Sequence, residues 1–171
     1  MKPRLEHSAG YVDRLSVWLA TGLGVGFVPV APGTVGALWG LPLAWATGRL
    51  GQTSHTLEVL AIVVVCLAGI PVCTRAVRAL GGEKDPGAIV LDEIASLPIT
   101  FFLVEMNNIS VVVVGFALHR LFDITKPPPT RQLERLRDGL GIMADDWMAG
   151  IYSCLALHAL MWFDLLPFGG G

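Results

Sequence analysis

Five apolar runs, at Gly36–Thr47, Leu57–Val72, Ile94–Val104, Ile109–Leu118 and Trp147–Phe163, occupy much of this chain and leave short polar connections between them. A chain patterned this way has few means of hiding so much apolar surface in water. Its mean hydropathy of +0.62, with 53% apolar and 15% charged residues, points to a protein that sits in lipid. Several runs are shorter than the ~20 residues that a perpendicular lipid-spanning helix needs. They become long enough when each helix carries its polar end residues to the interface or into the bundle interior, where charged groups at membrane depth are tolerated. The expectation is an all-α integral membrane bundle of about five transmembrane or membrane-embedded helices, a single domain over residues 1–171. Pro42, Pro71 and Pro98 are expected to kink helices or mark their ends.

The connections give an orientation, because cytoplasmic loops collect Lys and Arg. Of the 12 Lys and Arg residues, only Arg49 falls on the side opposite the other 11, which predicts an N-terminus inside, five passes and a C-terminus outside. The N-terminal segment lacks the apolar core and cleavage site of a signal peptide, so insertion is expected to use the internal helices. Tyr11–Ala20 places Tyr11, Leu15, Trp18 and Leu19 on one helical face, as an interfacial amphipathic helix or as a flanking helix packed on the bundle. A net charge of −2 with no basic tract excludes a nucleic-acid binder. Cys66, Cys73 and Cys154 lie in apolar runs without partners at zinc spacing and read as small core residues. The glycines of GLGVGF lack the spacing of a dinucleotide fingerprint.

Acidic residues interrupt this apolar pattern at defined places. In EKDPGAIVLDE a helix starting near Pro86 carries Asp92 and Glu93 inward, where ionised carboxylates cost several kcal/mol unless paired or metal-bound. The bland alternative is a salt bridge to Arg75 or Arg120. In RLFDITKPPP, Arg120 and Asp123 share a helix face and Pro127 ends the helix, leaving Lys126 at the aqueous edge. Those residues suit a phosphate and its metal, or a snorkelling basic rim. His119 has no matching partner and reads as an interface or core residue. In DGLGIMADDWMAG a glycine turn leads into Asp145 and Asp146 at the start of the last run, more acid than a helix cap needs. With Asp92 and Glu93 they form a four-carboxylate, oxygen-only set suited to Mg²⁺ or Mn²⁺. Upstream, PVAPGTVG opens the first run; its Thr34 hydroxyl and free backbone N–H groups serve either a phosphate oxygen or a turn and N-cap.

Through APGTVG at 31–36, DPGAIVLDE at 85–93, RLFDITKP at 120–127 and GLGIMADDWMAG at 139–150, the sequence resembles the phosphatidylglycerophosphatase A family. The resemblance implies removal of the terminal phosphate from phosphatidylglycerophosphate, with Mg²⁺, at the cytoplasmic face of the bacterial inner membrane. It implies roles for Asp85, Asp92 and Glu93, for Arg120, Asp123 and Lys126, and for Asp145 and Asp146. On this reading Asp92, Glu93, Asp145 and Asp146 hold the metal. Thr34, Asp85, Arg120 and Lys126 bind substrate, while Arg120 and Lys126 also stabilise charge on the transferring oxygens. Asp92 or Asp123 moves the proton, and the nucleophile is either water or an aspartate. The partner is a phospholipid within the bilayer.

Two other functions use the same acids. A CDP-alcohol phosphotransferase would require a DG pair followed by AR, whereas Asp138-Gly139 continues LGIMADD. A non-catalytic ion or proton translocator would spread its carboxylates through the bilayer depth, whereas these gather at one face.

Overall fold

The computed structural model describes residues 10–82 and 86–166, and within them every regular element is helical. In chain order these are α1 (Tyr11–Ala20), α2 (Pro32–Gly51), α3 (His55–Ala79), α4 (Leu91–Thr100), α5 (Ile109–Thr125), α6 (Thr130–Leu133) and α7 (Asp138–Trp162), with a short 3₁₀ turn at Val25–Phe27 before α2. The five apolar runs fall in α2, α3, α4, α5 and α7, although Ile94–Val104 outlasts α4 and Phe163 lies just beyond α7. Local chemistry sets their ends. Pro32 begins α2, where its missing N–H costs nothing. The Asn108 side chain caps α5 by accepting the Ser110 N–H at 2.8 Å. Lys126 closes α5 in a left-handed conformation, its N–H bonded to the Phe122 carbonyl, and Pro127 prevents continuation. Pro42, Pro71 and Pro98 all lie inside helices rather than at their limits.

The short helix α4 is the hub, packed against α2, α3 and α7. Ile94, Ala95, Ser96, Leu97, Pro98 and Thr100 are all buried, so α4 turns apolar or hydroxyl surface in every direction. Close approach depends on missing side chains. A Cβ at Gly40 would stand 3.0 Å from the Ile94 carbonyl oxygen, and one at Gly139 would strike the Ile70 carbonyl of α3. Across that second contact the Gly139 N–H donates to Thr74 Oγ1 at 3.0 Å, fixing the start of α7 against α3. Cys66 Sγ lies 3.6 Å from the Ala95 carbonyl oxygen, and the Leu103 N–H points to Glu58 at 3.4 Å, so α4 runs antiparallel to α3.

At 10 residues α4 is about 15 Å long, less than a bilayer core. It begins well inside the span of α3, which continues for a further three turns or so toward Ala79. The helix starts at Leu91 rather than near Pro86, so Asp92 and Glu93 stand in its first turn instead of nearly two turns inside it. Among the described residues only α3 is both long and apolar enough to cross a membrane by itself, with a mean hydropathy of 2.4 over its most apolar window. Leu57, Leu60, Val63, Val64 and Leu67 line its outer face, uncovered by other helices. Helix α1 packs on α3 through Ser16, Val17 and Ala20, and turns Tyr11, Val12, Leu15, Trp18 and Leu19 outward.

Candidate active site

The fold brings the first turn of α4 against the third turn of α7. Asp92 and Glu93 from α4 and Asp146 from α7 each place a carboxylate oxygen within 4.8 Å of the other two. Asp92 Oδ1, Glu93 Oε2 and Asp146 Oδ2 are sealed from solvent without a hydrogen-bond partner. Buried acceptors left this way cost several kcal/mol in sum. The start of α4 contributes a favourable dipole, but one helix end is too weak to balance three carboxylates. Burial first, and then the Glu93 and Asp146 charges, push the Asp92 carboxyl well above the usual carboxylate range. Burial also raises Glu93, joined by the Asp123 charge and partly offset by its hydrogen bond with Asp92 and by the Arg120 charge. The donor set is all oxygen, with unused lone pairs directed at one another, and it fits a small hard divalent cation.

Cationic side chains flank the cluster on the α5 side. Arg120 lies 3.6 Å from Glu93 Oε1 and is ion-paired to Asp123 one turn along its own helix. Thus Glu93 and Asp123 share a single guanidinium. Lys126, at the end of α5, donates to Asp145 Oδ2 at 2.8 Å and lies 3.4 Å from Glu134. Burial works against its charge, but Asp145 and then Glu134 outweigh that effect and hold the ammonium above its ordinary range. The two neighbouring aspartates of α7 thus point apart: Asp145 to Lys126, Asp146 to the acids of α4.

The first turn of α2 closes another side. A Cβ at Gly33 would run into the Glu93 carboxylate and come within 3.3 Å of Arg120 Nη2, so only glycine allows this approach. Thr34 follows on the same turn. The helix begins after Ala31 with no side-chain cap, which leaves the early N–H groups of α2 without helical acceptors beside the site. Asp85 lies outside the described residues.

Two contributors were not legible as such in the sequence. Gly33 reads there as part of a turn, and its meeting with Glu93 is a tertiary contact. His119 is fully buried, with Nδ1 3.0 Å from Thr100 Oγ1 and Nε2 3.4 Å from Ser96 Oγ. It clasps α5 to α4 and so sets the position of its neighbour Arg120. The available signal was the Ser96/Thr100 pair, four residues apart on one face of an otherwise apolar helix.

Residues 18–161 match the family described as phosphatidylglycerophosphatase A. A protein of Bacteroides thetaiotaomicron, provisionally named as a phosphatidylinositol-3-phosphatase, is 34% identical over 163 residues, covering 86% of this chain and 94% of its own length. Phosphatidylglycerophosphatase A of Escherichia coli K12 is 34% identical over 82% of this chain and 80% of its own. The Haemophilus influenzae protein of the same name is 33% identical over 86% and 89%. No solved structure matches the chain.

Proposed function

Because the chain belongs to the phosphatidylglycerophosphatase A family and is a phosphatase, we propose that it removes the terminal phosphate of phosphatidylglycerophosphate in a Mg²⁺-dependent reaction at the cytoplasmic face of the bacterial inner membrane. The observation that carries this reading is the trio of buried, unpartnered carboxylate oxygens of Asp92, Glu93 and Asp146 beside Arg120. The relatives' names designate different polyols, glycerophosphate and inositol phosphate, but both headgroups end in a phosphomonoester on a phosphatidyl lipid.

Asp92, Glu93 and Asp146 would hold the cation. When bound, Mg²⁺ supplies neutralisation of the monoester's charge and polarises the attacking water. The chain's own groups account for the rest. Lys126, kept charged by Asp145, and Arg120, oriented by Asp123, donate to oxygens on which negative charge grows during phosphoryl transfer. The free N–H groups of α2 near Gly33 and Thr34 bind a further phosphate oxygen. Asp123 moves the proton between water and the leaving alcohol. The headgroup would reach the acids from the aqueous edge, where Lys126 stands, while the acyl chains stay in lipid.

The membrane assignment is supported by the uncovered apolar face of α3 and by the outward aromatic face of α1, which suits the headgroup layer. In this arrangement α2, α3, α5 and α7 cross the bilayer, α4 descends partway, and α1 lies in the interface. Purified protein in detergent is expected to release inorganic phosphate from phosphatidylglycerophosphate with Mg²⁺ and to stop when the metal is chelated. Full activity in excess chelator would overturn the metal-dependent reading, and release from neither phosphatidylglycerophosphate nor phosphatidylinositol 3-phosphate would overturn the lipid substrate.

A further inference from the structure

Beside the acidic cluster, Ile124, Lys126, Arg131, Glu134 and Arg135 line a cavity of about 380 Å³. The phosphomonoester chemistry uses neither arginine. We propose that Arg131 and Arg135 form a subsite for a phosphodiester, so that the enzyme selects lipids whose headgroup carries both a diester and a terminal monoester. This inference rests on the phosphatase reading above.

Three features point to an anion at this position. Among the described residues neither Arg131 nor Arg135 is ion-paired. Glu134, the carboxylate in the cavity wall, is engaged by Lys126 at 3.4 Å, so its charge is spent on the lysine. The arginine pair thus presents two planar guanidinium groups to an open space, the geometry that phosphate oxygens match best.

The segment is also built rather than loose. Arg131 Nη2 reaches back to the Thr125 carbonyl oxygen at 3.5 Å, Thr130 is fully buried, and the Tyr152 hydroxyl of α7 donates to the Pro128 carbonyl at 2.6 Å. These contacts fix the segment that carries the arginines relative to α5 and α7, the two helices next to which Lys126 and Asp145 meet. Lys126 stands in the wall between the two spaces: its ammonium contacts Asp145, next to Asp146, on one side and Glu134 on the other. A headgroup with its monoester at the acids and its polyol passing Lys126 delivers its diester to the arginines. Ile124, 70% exposed at the rim, offers apolar surface to the lipid glycerol that follows. Phosphatidate has a monoester but no diester and leaves this subsite empty.

The test uses the full chain in detergent mixed micelles with Mg²⁺, comparing phosphatidylglycerophosphate with phosphatidate of the same acyl chains. In Arg131→Gln and Arg135→Gln, kcat/KM is expected to fall about tenfold to a hundredfold on the two-phosphate lipid, chiefly through KM. The loss on phosphatidate should be at least several-fold smaller, and Arg135→Lys should recover part of the difference. Equal losses on both lipids, or none on the two-phosphate lipid, would overturn the subsite while leaving the phosphatase intact. A wild-type chain inactive on both lipids would instead overturn the parent reading, and the subsite with it.

Discussion

Glu58 and Asp146 are buried to nearly the same extent, 2% and 3% exposed, at opposite ends of the same bundle, and their surroundings differ in kind. Glu58, in the first turn of α3, belongs to no cluster of acids among the described residues. It accepts the Leu103 N–H at 3.4 Å, and Gly51 at the end of α2 leaves room for its other oxygen. It joins the ends of α2, α3 and α4, beside a cavity of about 160 Å³ that Arg49 and His55 also line. Asp146 meets Asp92 and Glu93 instead, and each of the three keeps an oxygen without a hydrogen-bond partner. Burial of an acid is therefore not the mark of a site in this protein. Convergence of acids whose lone pairs the chain does not satisfy sets Asp146 apart, because that cost is relieved by a cation or by protons taken up from outside.

Exchanging one oxygen for an amide in each region separates the two roles most sharply. Asp146→Asn and Asp92→Asn should each lower phosphate release by about a thousandfold or more while the melting temperature stays level or rises, since like-charge repulsion is relieved. A variant that keeps a tenth of the activity would remove that carboxylate from the site. Next in size, Lys126→Gln should cost about a hundredfold in kcat by removing the ammonium beside Asp145, measured with circular dichroism as a check on folding. A loss seen in KM alone would make Lys126 a binding group with no role at the reacting oxygens.

The two glycine cradles give a matched pair. Gly33→Ala pushes a methyl into the Glu93 carboxylate and should lower activity about tenfold with little change in stability, because a side chain can shift. Gly51→Ala pushes one into Glu58 and should lower stability by about 1–3 kcal/mol in a denaturation series while sparing turnover. The smallest effect is expected from Glu58→Gln, with activity within about threefold of the parent and stability changed by about 1 kcal/mol. Loss of turnover there, with folding preserved, would make the far end part of the catalytic apparatus and abolish the contrast.

Much of this arrangement is visible in the residue pattern. The apolar runs give α2, α3, α5 and α7 because their length and periodicity leave few alternatives, and Pro127 marks the end of α5 directly. The acids of α4 and α7 stand out because each interrupts an apolar run. Their partners do not stand out. Asp145 and Asp146 are equivalent as neighbours in sequence, and only the packing of α7 between α4 and α5 turns the first toward Lys126 and the second toward Glu93. Glu58 looks like an ordinary first-turn acid until the loop after α4 folds over it. The run Ile94–Val104 suggests a longer helix, but α4 ends at Thr100 and a turn follows, with Leu103 at positive φ. Tertiary contacts decide each of these points, and a single sequence carries no record of them.

The central claim is that Asp92, Glu93 and Asp146 hold a divalent cation, whereas Glu58 does not. Titration of Mg²⁺ into the detergent-purified protein, followed by calorimetry in the absence of substrate, tests it without reference to turnover. The parent chain and Glu58→Gln should bind Mg²⁺ with the same affinity, and Asp146→Asn should bind at least about tenfold more weakly. Equal binding by Asp146→Asn and the parent, or weakened binding in Glu58→Gln alone, would contradict the account.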